Sequence, residues 1–251
     1  MKNTQIFKLI MMLFMAISIS SCVSKKDMIY FQNDEVITNE LLKNYAPRIQ
    51  TDDILSITVS ASEPESVKPY NLFRGGGQSI STNPITYLVD LNGDITFPEL
   101  GKINVIGLTT DALKNKLIGL LKPFVTNPII TIRLENFRIT ILGEVKSPGA
   151  ILLENGSVSI AEVIGMAGDL TIQGKRKNIL LIRKNGEKVE SIRLDLTDKS
   201  IFNSPYFYVA QNDIIYVEPN KAKVNSSAIG TTSSLISIAS ALFSLILILT
   251  R

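Results

Sequence analysis

The chain has 251 residues, 45% of them hydrophobic, with a formal net charge of +3 and a mean hydropathy of +0.22. One cysteine and no histidine exclude an internal disulfide, a His/Cys zinc site and any catalytic triad that needs histidine. If Lys2 and Lys8 leave with a cleaved leader, 26 basic residues fall to 24 against 23 acidic ones, and no basic field for nucleic acid survives.

Residues 1–21 have the form of a signal peptide, with Lys2 and Lys8 ahead of the apolar run Leu9 to Ile17. That run is too short to span a bilayer, which needs about 20 residues. It ends in Ile19-Ser20-Ser21-Cys22, which resembles a bacterial lipobox with Cys22 as the residue to be lipidated. An ordinary leader with an incidental cysteine is the alternative. Acyl chains contribute about 0.8 kcal/mol per buried CH₂, so several would hold the protein durably on a membrane. Residues 22–45 then read as a polar tether that becomes ordered near Tyr30-Phe31.

Ile49 to Val59 reads as a strand, alternating at Ile57 and Val59. The Asp52-Asp53 pair before it admits an acid/base or metal reading, but no third ligand is in view and a solvated turn is the simpler account. Glu63 to Asn83, with Pro64, Pro69 and Gly75-Gly76-Gly77, reads as a loop between strands. The glycines are not a phosphate loop, because no Gly-Lys-Ser/Thr follows.

Tyr87 to Leu120 organises the chain. Tyr87 to Leu91 and Ile95 to Phe97 alternate around Asn92-Gly93, which predicts a two-residue hairpin. Pro98 and Gly101 close the second strand, and Ile103 to Ile106 supply a third apolar run. Thr109-Thr110-Asp111 predicts a helix N-terminus, followed by apolar positions at Leu113, Leu117, Leu120 and Leu121 and a stop at Pro123.

Ile129 to Leu134 is a further strand, and Phe137 to Val145 opens a second unit. Pro148-Gly149 turns the chain into a short strand, Ala150 to Leu153. Ser159-Ile160-Ala161-Glu162 fits a capping box, opening a helix that ends at Gly168. Asn185-Gly186 predicts a hairpin between Asn178 to Arg183 and Lys188 to Leu194. Gln211-Asn212-Asp213 then turns into Ile214 to Val217. Glu144 could serve as a catalytic carboxylate, though a structural charge beside a turn explains it as well. Lys175-Arg176-Lys177 could touch an anionic glycan or simply be a solvated loop.

Residues 226–251 carry an apolar stretch without charge from Leu235 to Leu249, which can extend back toward Ala228. Roughly 22–33 Å of helix results, close to a hydrocarbon core. Ser233, Ser237, Ser240 and Ser244 share one narrow face, suited to contact between helices or to a wet lumen. A single tail anchor with tolerated serines is the alternative.

Asp90, Gly93, Ile95, Phe97, Pro98, Leu100, Gly101, Ile103, Val105, Gly107, Leu108 and Thr109 stand in one fixed register. Their order resembles the core motif of the bacterial polysaccharide export family, whose best-known member is the Wza-type outer-membrane capsule translocon. Ile141, Gly143, Glu144, Val145, Pro148, Gly149, Ala167-Gly168, Asp213, Ile215 and Val217 resemble that family's β-grasp SLBB module. Asp52 replaces a glycine of the family pattern, which predicts a different turn there; Asp169 and Asn212 also replace glycines, and both tolerate positive φ better than most residues.

The resemblance implies a β-rich α+β chain: a polysaccharide-export domain at 46–135, a β-grasp domain at 136–220 and a C-terminal membrane helix at 226–251. It implies a non-catalytic, lipid-anchored outer-membrane subunit with periplasmic domains and no cofactor or metal. A homo-oligomeric ring would pass capsular or exopolysaccharide, with membrane lipid around it. Its partner would be an inner-membrane polysaccharide co-polymerase with a tyrosine kinase. A monomeric glycan-binding lipoprotein and a tail-anchored structural envelope protein are the competing expectations. A carbohydrate-active enzyme ranks last, because nothing places two carboxylates in one cleft.

Overall fold

The computed structural model describes residues 25–33, 45–76, 79–153, 156–186 and 188–226. Cys22 and the serines at 233, 237, 240 and 244 lie outside the described residues, as does the C-terminal span beyond Ser226. No described helix is long and apolar enough to cross a membrane.

The first module is centred on β1 (Ile54–Ser60), whose alternation sends Leu55, Ile57 and Val59 into the core. β4 (Thr86–Leu88) and β7 (Ile129–Leu134) flank it in a three-stranded antiparallel sheet. The stretch expected to be a loop from Glu63 to Asn83 is structured. It contains α1 (Pro64–Val67), a 3-10 turn at Lys68–Tyr70, and a hairpin of β2 (Phe73–Gly76) with β3 (Ser79–Pro84). Burial of Val67 and Tyr70 fixes the helical turns. The Asn71 amide accepts from Val59 N at 2.9 Å and donates to Val59 O at 2.6 Å, bonding β1 as a neighbouring strand would.

The Asn92-Gly93 turn forms, but it does not join two paired strands. β4 pairs with β1, whereas β5 (Asp94–Phe97) pairs with β6 (Gly101–Asn104) across a turn at Pro98 to Leu100. The reason lies in the turn's own bonds. Asp90 Oδ1 accepts from Asn92 N and Asp94 N, and Gly93 O accepts from Val105 N at 2.8 Å and Ile106 N at 3.2 Å. The turn is thereby docked onto the chain after β6. Gly93 itself has φ +81°, and an added Cβ would meet Ile106 Cβ at 2.5 Å, so only glycine fits.

α2 (Thr110–Leu121) starts as predicted, with Thr109 Oγ1 accepting from Ala112 N at 3.1 Å and Asp111 in the first turn. Leu113, Leu117 and Leu121 are buried against the sheet; Leu120, expected on the same face, is exposed. Spacing alone widened the apolar stripe by one residue.

In the second module the sheet order is β11-β10-β12-β8-β9. These strands are β8 (Arg138–Gly143), β9 (Gly149–Leu152), β10 (Gly174–Asn185), β11 (Lys188–Leu194) and β12 (Ile214–Pro219). β12 runs parallel to β8 and every other pair is antiparallel. The Asn185-Gly186 hairpin forms between β10 and β11 as predicted. α3 (Ile160–Met166) opens on the full Ser159/Glu162 capping box, and its Ile160, Val163 and Ile164 enter the core. Asp169 (φ 75°) and Asn212 (φ 62°) adopt the left-handed conformation that glycine would have taken.

The N-terminal segment is bound to this second module. Phe31 N and Gln32 N donate to Leu196 O and Thr197 O, and Phe31 packs on Phe202 at 5.0 Å between ring centroids. Tyr30 donates its hydroxyl to Asp169 Oδ1 and lies under the Arg176 guanidinium. The chain entering the first module is held there too, by Tyr45 Oη donating to Val209 O at 2.7 Å and stacking on Tyr208.

Candidate functional site

The twelve-residue motif folds into the inside of the first module. Phe97 is buried against Tyr87 at 5.3 Å, Ile95, Ile103 and Val105 are core, and Gly107 N donates to Ile49 O. Asp90 and Pro98 set the two turns, Gly93 and Gly101 stand at their ends, and Gly107 leads to the Thr109 cap. In the second module Gly143 ends β8, Pro148 closes the bend that follows and Gly149 begins β9. In the fold these residues form turns, strand ends and a buried face. Glu144 is likewise engaged, Oε2 accepting from Thr171 Oγ1 at 2.7 Å. Among the described residues no three groups are arranged to hold a metal ion.

The two modules meet at a polar joint that the sequence reading did not anticipate. Asn136, in the short linker, accepts from Ile54 N and donates to Asp52 O. Its own carbonyl accepts from Gln211 Nε2, and Gln211 Oε1 accepts from Arg138 N. The turn before β1 and the turn before β12 are therefore tied to one residue. They are also built alike. Asp53 Oδ2 accepts from Gln50 N, and Asp213 Oδ2 accepts from Ala210 N, each three residues back.

Asp52 is exposed, but Asp53 is fully buried, contrary to the solvated turn expected for the pair. Its Oδ1 has no hydrogen-bond partner among the described residues. Burial pushes the Asp53 carboxyl up to about 6, against the opposing Gln50 N–H bond and with help from the Asp52 charge. A carboxyl with a raised folded-state pKa binds its proton more tightly when folded. Its contribution is therefore most favourable below about pH 4 and is lost as pH rises to about 6. Asp53→Asn keeps an oxygen for Gln50 N and removes the charge. The melting temperature of the variant relative to the parent should rise by about 4–8 °C between pH 4 and 7, on the order of 2 kcal/mol. A difference that stays flat with pH would show that the buried carboxyl does not titrate there.

A groove of about 510 Å³ opens where the N-terminal segment, β10 and the chain leaving β12 come together. Lys175, Arg176, Lys177 and Lys221 line it, with Asp27 its one carboxylate. Lys177 pairs with Asp27 at 2.7 Å and Lys175 with Glu218 at 3.1 Å. Arg176 is buried, donating through Nη1 to Gly174 O, while its Nε has no partner among the described residues. The Lys175-Arg176-Lys177 run is thus not a solvated loop but the start of β10, with Arg176 turned inward between two outward lysines. The basic run was visible in the sequence; Asp27 and Lys221 join it only through the fold.

The family model described as polysaccharide biosynthesis/export protein matches residues 42–135, and the SLBB domain model matches residues 138–193. Together these spans cover more than half of the chain, each falling on one of the two modules. The chain belongs to the polysaccharide export family. Among its relatives is the EPS I polysaccharide export outer membrane protein EpsA of Ralstonia solanacearum. It is 28% identical over 198 residues, which are 75% of this chain and 52% of the relative. The protein of the same name from Ralstonia nicotianae is 32% identical over 150 residues, 54% of this chain and 38% of the relative. The chain therefore spans about half or less of the length of these export proteins.

Proposed function

We propose that this chain is a lipid-anchored subunit of an outer-membrane exporter for long-chain polysaccharide, capsular or exopolysaccharide. Cys22 is the lipidated residue after a leader at 1–21. The modules at 46–135 and 136–220 are the periplasmic export and β-grasp domains, and 226–251 is a membrane helix. No bond is made or broken by the chain. An inner-membrane co-polymerase with its kinase is the partner that supplies the energy. The names of the relatives, which are export proteins of the outer membrane, support the substrate class and the location.

The observation that carries assembly into a ring is the state of the sheet edges. The larger sheet of each module is open, and both of its edge strands expose a large apolar side chain: Leu88 on β4 and Ile129 on β7, Leu152 on β9 and Val189 on β11. Exposed apolar edges are unusual in a monomer and suit repeated head-to-tail contact, one edge of each module against the opposite edge of the next copy. The four C-terminal serines would then lie between helices or face the lumen, where pore width and hydrogen-bonding groups set selectivity.

The test is the mass of the detergent-extracted, lipidated protein beside a version truncated before Ser226. A single large oligomer that loses membrane insertion on truncation is the expected result, together with loss of surface polysaccharide when the gene is deleted. A monomer in both forms would leave a glycan-binding lipoprotein as the better account.

A further inference from the structure

We propose that the groove between Asp27, β10 and Lys221 seats the phosphate headgroup of an anionic phospholipid in the membrane that holds the anchor. The inference rests on the reading of Cys22 and of the C-terminal span as membrane attachments, and goes beyond it by naming a lipid site in the folded part of the chain.

Position is the first argument. Asp27 is five residues from Cys22, so at about 3.6 Å per extended residue the acylated residue lies within about 18 Å of the groove. On the other rim, the residues from Lys221 to Ser226 are helical and point the chain toward the uncharged stretch that starts near Ala228. Ala228 follows Ala222 by six residues, so the chain reaches it within about 22 Å even when fully extended. Both attachments thus depart from the two rims of one groove. A point tied to a bilayer on both sides at that range sits at the headgroup layer.

Charge and surface composition agree with that position. Among the described residues four cations line the groove, two of them paired, Lys177 with Asp27 and Lys175 with Glu218, so a net positive charge remains. Lys221 makes no ion pair among the described residues, and the buried Arg176 Nε–H is unpartnered. Ile172 lines the groove with an exposed side chain, and Ile29 and Val224, close in the chain to the lining residues Met28 and Ala222, are exposed as well; apolar side chains beside lysines suit a surface resting in the headgroup and acyl boundary. The lysines offer point charges on flexible stems and not a rigid fork, a match for a phosphate that approaches from many directions. A sugar chain would be expected to find aromatic faces, and among the described residues no aromatic side chain lines this groove.

The experiment uses full-length protein in detergent, followed by native mass spectrometry during titration with phosphatidylglycerol, phosphatidylcholine, inorganic phosphate or hexagalacturonate. Phosphatidylglycerol should be retained about tenfold more tightly than phosphatidylcholine, and Lys175→Gln/Lys221→Gln should weaken it about 25-fold, near fivefold for each lysine. The melting temperature should move by no more than a few degrees, because Lys221 is exposed and Lys175 gives up only a partly exposed pair with Glu218; Lys221→Glu alone should give a larger loss than Lys221→Gln. Equal retention of the two lipids, or a double variant that binds as the parent does, overturns the proposal. Inorganic phosphate competing at the concentration of the lipid would make this a site for free anions, and hexagalacturonate binding in place of lipid would make it a glycan site; either overturns it. The same spectra report acylation at Cys22. Acylated protein without lipid selectivity removes the groove and keeps the anchor, whereas selectivity without acylation removes the anchor and keeps the groove.

Discussion

Gly143→Ala is expected to prevent the second module from folding. Gly143 sits at the end of β8, opposite Val217 in the one parallel pair of the sheet, with φ +88°. A Cβ there would lie closer than 3.0 Å to the Val217 carbonyl oxygen and 2.9 Å from the Tyr216 ring. That carbonyl already accepts from Glu144 N at 3.0 Å, so it has no direction in which to retreat without breaking the bond that leads the chain out of the strand. The left-handed conformation adds about 1–2 kcal/mol for an alanine, and the clash forces the two strands apart. Together the loss should exceed about 4 kcal/mol, a large share of a typical domain's 5–15 kcal/mol. The check is thermal unfolding with limited proteolysis of the second module, beside Gly165→Ala as control. Gly165 is an exposed helical glycine whose added Cβ meets nothing within 4 Å, so the control should be neutral or slightly stabilising. A Gly143→Ala protein that melts within a few degrees of the parent would refute the argument.

Much of the local structure was legible because its causes are local. The Thr109 and Ser159 caps, the buried spacing of α2, the Asn185-Gly186 hairpin and the alternation of β1 each follow from residues within one turn or one strand. Failures occur where distant residues decide. Asn92-Gly93 gives a turn whatever its neighbours do, but which strands it joins depends on Thr86 to Leu88 finding β1 thirty residues earlier. Glu63 to Asn83 has the proline and glycine content of a loop. Its helical turns exist because Val67 and Tyr70 meet a core that the segment itself does not reveal. Leu120 faces solvent because at about 100° per residue it falls about 60° to one side of Leu117, the centre of the buried stripe from Leu113 to Leu121.

The same distinction holds for the sites. Asp53 and Asp213 stand in similar contexts, Gln50-Thr51-Asp52-Asp53-Ile54 and Gln211-Asn212-Asp213-Ile214, and the likeness of these turns could have been read from the sequence. That Asn136 and Gln211 would seal Asp53 could not, since both lie more than eighty residues away. Lys175 and Lys177 announced a basic surface, while the inward turn of Arg176 and the arrival of Asp27 and Lys221 required the two ends of the folded chain to be brought side by side.

Arg183 should carry the second large effect. Asp213 is fully buried, and Arg183 grips it with Nε on Oδ1 at 3.0 Å and Nη2 on Oδ2 at 2.7 Å. The same Nη2 donates to Tyr208 O at 2.8 Å, and the guanidinium lies over the Tyr206 ring at 5.4 Å. Arg183→Met fills the space but leaves a buried carboxylate without a counter-charge, which costs about 3–5 kcal/mol. Adding Asp213→Asn removes that charge while keeping an oxygen for Ala210 N, so the double variant should recover more than half of the loss. Urea unfolding followed by tyrosine fluorescence suits a chain without tryptophan. If the double variant is as unstable as the single one, packing and not the stranded charge accounts for the effect. The consequence extends beyond stability. Gln211 and Asn212, inside the turn that Arg183 secures, bond Asn136 and Arg138, and Asn136 holds the turn before β1. Loosening that turn loosens the angle between the modules. In the proposed ring, built through edges of both modules at once, Arg183→Met should therefore lower the oligomer fraction in detergent under conditions where each module is still folded.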